Sequence, residues 1–111
     1  MITIQSVFRS LNVTGKYKGF RCAAFALKLI LEDEDWLANL KGKLYPRVAD
    51  EFQCSPDSVE SAIRYIAKKA WTLNGDELKK LAKIDLSKAP PNKEFLTILY
   101  NYIQRSGTPP Q

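Results

Sequence analysis

The stretch SPDSVESAIRYIAKKAWT, residues 55 to 72, sets hydroxyls at Ser58 and Ser61 beside a carboxylate at Glu60 and cations at Arg64 and Lys68. At about 100° per residue, Asp57, Ser61, Arg64 and Lys68 fall on one side of a helix. Glu60 flanks that side on one edge, Tyr65 and Thr72 on the other. A face of this kind donates hydrogen bonds to base edges and to phosphate oxygens. A solvated helix surface carries the same pattern, so periodicity alone leaves both readings open.

Catalytic chemistry has much less to stand on. The chain has no histidine, which removes the commonest general base and metal ligand. Its two cysteines, Cys22 and Cys54, lack zinc spacing and are expected as buried free thiols. The five glycines mark helix ends and loops and form no phosphate-binding loop. Ser58 and Ser61 have only Glu60, Arg64 and Tyr65 at helical spacing, poor equipment for an activated nucleophile. Four adjacent acids, Glu32 to Asp35, have poor geometry for a metal and read as a solvated corner. The expectation is therefore a protein that is not an enzyme, with no catalytic residue, no cofactor and no metal.

The surrounding elements read as all helical. Ile2 to Leu11 has apolar residues at Ile4, Val7, Phe8 and Leu11, and Tyr17 to Leu31 is apolar nearly all round, as befits a central helix. The acids of the Glu32–Asp35 run suit the start of a short turn, Trp36 to Leu40, where carboxylates meet free amides. Pro46 opens a helix that runs to Phe52. Ser55 caps another, with Pro56 in its first turn, expected to end at a left-handed Asn74-Gly75 stop. Asp76 then caps a short helix with Leu78, Leu81 and Ala82 inward and Lys79, Lys80 and Lys83 outward. Asn92 caps the last, with Phe95, Ile98, Leu99, Tyr102 and Ile103 on one face. Tyr17, Phe20, Phe25, Trp36, Phe52, Trp71, Phe95 and Tyr102 are expected in the core.

With 111 residues, residues 1–105 are expected to form one domain and 106–111 a frayed tail. No apolar run approaches a membrane span and no export signal is evident, so a cytoplasmic location is expected. The net charge is +5, with no acid among residues 1–31. That balance permits attraction to phosphate polymers without establishing it.

The corner between Phe52 and Ser55 has the spacing of a helix-turn-helix over residues 45–72. Val48 and Phe52 point inward and Ala49 supplies the close contact. Cys54 is expected as the apolar plug of the turn, and Val59 with Ala62 or Ile63 anchors the second helix. Gln53 stands where a glycine is usual, so a left-handed backbone with a modest penalty is expected there. Lys43 and Arg47 are candidate phosphate anchors, Lys16 and Lys18 secondary ones, and Tyr45 and Tyr65 are candidates for contacts near DNA.

KGKLYPRVADEF (residues 41–52), SVESAIRYIAKKAW (58–71) and APPNKEFLTILYNYI (89–103) together resemble the C-terminal DNA-binding effector domain of the stage zero sporulation A response regulators. Lys18-Gly19-Phe20 matches the start of that family's central helix, and the resemblance spans Ile2 to Ile103. It implies a six-helix, all-α domain whose second motif helix, residues 56–73, enters the major groove of double-stranded DNA. It also implies copies binding side by side, a contact with an RNA polymerase sigma subunit, and both activation and repression. By position, Glu60 matches a base-contacting glutamate and Arg64 an arginine at the DNA surface. Ser58 and Ser61 replace arginines that reach the DNA. An arginine fork on guanine supplies about 1–3 kcal/mol of discrimination, and serine reads bases ambiguously. The expected function is thus a transcription regulator with altered or relaxed base preference, in which Ser58, Glu60, Ser61, Arg64, Tyr65, Lys68, Lys43 and Arg47 meet DNA. The competing reading is a protein-interaction module that kept the fold and lost DNA reading. The family's receiver domain has no counterpart here, so the chain is expected either to stand alone or to be a fragment.

Overall fold

The computed structural model describes residues 3–17 and 19–105. Ile2, Lys18 and the tail 106–111, on which expectations were placed above, lie outside them. Among the described residues there is no strand, and five α-helices follow one another: α1 (Ile4–Ser10), α2 (Phe20–Glu32), α3 (Tyr45–Phe52), α4 (Pro56–Ala82) and α5 (Asn92–Arg105). A 3-10 turn, Glu34–Ala38, and a wide helical turn, Leu40–Leu44, join α2 to α3.

Local chemistry explains most of these boundaries. Thr3 and Ser6 form a reciprocal capping box that opens α1. Asp33 Oδ1 accepts from the Asp35 amide at 3.0 Å, so the acidic corner does start a turn, two residues earlier than the spacing predicts. α2 also starts later than expected, after Gly19, whose φ of 90° only glycine adopts freely. Gln53 takes the left-handed backbone expected of it, φ 57° and ψ 48°.

α4 departs from expectation. Asn74 leaves helical angles at φ −156° and ψ 58°, so the break falls where the sequence places it, but it is not the left-handed stop expected, and the two helices meet at a kink within one continuous element. The Asn74 side-chain amide donates to Ser10 C=O at 2.9 Å, tying the kink to the end of α1. Among the described residues the helices number five with α4 taken as one element, and six with its two segments taken separately.

α4 is the spine, packing against α2, α3 and α5, while α2 also meets α1, α3 and α5. Phe8, Leu11, Leu27, Ile30, Leu44, Ile63, Ile66, Leu78, Phe95, Leu96 and Leu99 are fully buried between them. Of the aromatics expected inside, only Phe95 is fully buried. Tyr17, Phe20, Phe25, Trp36, Phe52, Trp71 and Tyr102 lie half-buried around the core. Cations explain several of these positions. Arg21 sits 5.3 Å from the Phe52 ring, Arg47 5.2 Å from Phe25 and Lys79 5.6 Å from Trp71, so rings at the edge are covered by amphipathic side chains rather than by apolar ones.

Two further expectations fail. Cys54 is exposed and does not plug the turn, and Phe52 before it is half-buried, edge-on to Phe25 at 5.8 Å. Both cysteines are free, and Cys22 is only half-buried. Burial, reinforced by the neighbouring Cys54, pushes the Cys22 thiol up, against the pull of Arg21.

Candidate nucleic-acid interface

α4 is split by angle as its sequence requires. Val59, Ile63, Ile66 and Ala70 are buried, while Asp57, Ser61, Arg64 and Lys68 on the other side are exposed. Ser55 opens the helix: its hydroxyl accepts from the Ser58 amide at 3.1 Å and donates to Ser58 Oγ at 3.0 Å. Ser58 is therefore partly engaged in the cap. One turn later Arg64 Nη2 donates to Glu60 Oε1 at 2.8 Å and reaches Ser61 Oγ at 3.4 Å. An exposed pair four residues apart stabilises a helix by only about 0.3–0.5 kcal/mol. The guanidinium can leave Glu60 for a phosphate at small cost. Lys68 is exposed and has no hydrogen-bond or ion-pair partner among the described residues.

Tyr65, 41% exposed, continues this surface. Lys69 lies 5.7 Å from its ring and 5.8 Å from that of Tyr17, and Lys16 covers Tyr17 at 5.4 Å. Two concavities flank the ridge. On one side Asp57, Ser58, Ser61, Ala62 and Tyr65 line an open cleft of about 410 Å³. On the other, Glu60, Arg64 and Lys68 face Lys88, Pro90 and Pro91 across a groove of about 390 Å³.

Distant elements hold α4 in place. Asn92, buried at the start of α5, donates through Nδ2 to the Tyr45 hydroxyl and to Glu60 C=O, each at 3.0 Å. The expected cap is thus a cross-link: Asn92 lies inside α5, and the Phe95 amide is taken by Pro91 C=O at 2.8 Å. Tyr45, expected near DNA, is 4% exposed. Burial raises its phenol above the ordinary value, with the Asn92 hydrogen bond pulling the other way. On the opposite flank Gly19 packs against α4 so closely that a Cβ there would lie 2.7 Å from Ala62 C=O.

Ser58, Glu60, Ser61, Arg64, Tyr65 and Lys68 are thus brought together. Lys43 and Arg47 are not joined to them by any hydrogen bond or ion pair among the described residues. Arg47 donates to Glu51 at 3.3 Å, and Lys43 is exposed on the 40–44 turn. Sequence reasoning missed Asn92, hidden by its resemblance to a cap, and Lys88, in a loop without periodicity.

Among the described residues no group of histidine, cysteine and carboxylate side chains could hold a metal, and no helix is long and apolar enough to cross a membrane. Residues 4–103 match the family described as Sporulation initiation factor Spo0A C terminal. That family is the DNA-binding effector domain of a response regulator in sporulation and is not a family of enzymes. With nearly all of its length matched, the chain belongs to the Spo0A C-terminal family of DNA-binding, transcription-regulating effector domains.

Proposed function

We propose that α3 and α4 act as a helix-turn-helix whose second helix, residues 56–73, enters the major groove of double-stranded DNA. The observation that carries this reading is the freedom of the Asp57–Ser61–Arg64–Lys68 side while Val59, Ile63 and Ile66 anchor the other. Arg64 and Lys68 meet phosphates. Ser61, Glu60, Tyr65 and, past its cap bond, Ser58 face base edges. Lys43 and Arg47 serve as outer phosphate anchors, Arg47 after releasing Glu51. Without a guanidinium at positions 58 and 61, base preference is altered or relaxed relative to the family. Residues 1–105 work as one domain at the nucleoid, copies bind side by side, and a sigma subunit is the protein partner.

The Glu60–Arg64 pair and the Ser58 cap bond favour one other reading, a partner-binding module in which this face no longer reads DNA. Selection of bound duplexes from a random pool at two salt concentrations separates the two. DNA binding predicts retained duplexes whose affinity falls steeply with salt, because condensed counterions are released. Arg64→Ala should weaken every duplex and lower the log–log salt slope by about 0.9. No salt-dependent retention of any duplex would refute groove insertion.

A further inference from the structure

Lys88 lies in the loop between α4 and α5, with its side chain in solvent. The loop is held from both ends. Leu86 and Pro90 are buried, and Asn92 fastens its end to Glu60 C=O and the Tyr45 hydroxyl. At the other end Arg105 donates to Leu81 C=O at 2.8 Å. Pro90 and Pro91 further restrict the backbone. Lys88 is thereby stationed across the groove from Arg64 and Lys68. Three cations face that groove with one carboxylate, Glu60, which is already paired to Arg64. Its fitting occupant is an extended polyanion.

We propose that this groove is a phosphate track, in which Lys88 joins Arg64 and Lys68 on one strand's backbone while the Ser61–Tyr65 flank faces the bases. The proposal rests on insertion of α4 in the major groove and specifies the helix's orientation there. The occupant is a DNA backbone rather than an acidic peptide because the groove runs alongside the same helix that presents Ser61 and Tyr65. A helix in the major groove has a sugar-phosphate strand along its flank. The preset loop also reduces the ordering needed on binding.

The test is fluorescence anisotropy with a labelled random-sequence duplex across about 50–200 mM salt. Lys88→Ala should weaken binding and lower the salt slope by about 0.9, the share of one neutralised phosphate. Lys88→Arg should restore the slope. Lys80→Ala, an exposed lysine beyond the Asn74 bend, should leave it unchanged. A wild-type slope in Lys88→Ala, with Arg64→Ala still losing its share, would overturn the track and leave groove insertion standing. Equal losses in Lys80→Ala and Lys88→Ala would also overturn it, because general charge would then be responsible. If the wild type binds no duplex, groove insertion itself fails and the track fails with it.

Discussion

Ser61 stands at the centre of the exposed side of α4, within 3.4 Å of Arg64 Nη2. A hydroxyl both donates and accepts, so at a base edge it accommodates several bases where an arginine fork selects guanine. Arg64, the neighbouring guanidinium, is assigned to a phosphate in this reading once it leaves Glu60, so it does not replace the missing fork. Ser61→Arg should therefore create a preference for guanine at one position, worth about 1–3 kcal/mol. Competition between duplexes differing only at that base pair measures it. No gain at any position would mean that residue 61 does not face bases.

At the scale of elements, the orientation of α4 depends on two close backbone arrangements. Gly19 caps the start of α2 at φ 90° directly against Ala62 C=O. Gly19→Ala adds left-handed strain and a clash with a carbonyl that cannot swing away, a cost of about 2 kcal/mol or more. Urea unfolding should show it as a lower midpoint with an unchanged slope. The corner between α3 and α4 behaves oppositely. Gln53 already carries the left-handed penalty, partly offset by its side-chain bond to Asp50 C=O at 3.2 Å. Gln53→Gly should stabilise the fold by about 0.5–1 kcal/mol, since relief of strain exceeds the added chain entropy. A rise in melting temperature would show this; a fall would mean the Asp50 bond outweighs the strain.

Across the whole molecule, α3, α4 and α5 meet at Asn92. Its amide joins residues distant in sequence, the Tyr45 hydroxyl on α3 and Glu60 C=O on α4. Asn92→Ala leaves both groups in a largely dry place without that donor and should cost about 1–3 kcal/mol in denaturant unfolding. A neutral result would mean that water replaces the amide there.

How much of this was legible beforehand follows from which interactions are local. The inward and outward sides of α4, the Ser55 cap and the left-handed Gln53 all depend on residues within a turn or two, and each was readable from spacing. The family match likewise lies in the linear order of LYP, VESAIR and AW. The tie of the Asn74 kink to α1, the burial of Tyr45 and the approach of Lys88 to Arg64 were not readable, because each depends on a partner many residues away: Ser10, Asn92 and the loop ahead of α5. Periodicity assigns a side chain to a face. Only packing decides what lies opposite it, and so whether a polar group there is bound within the protein or left for a ligand.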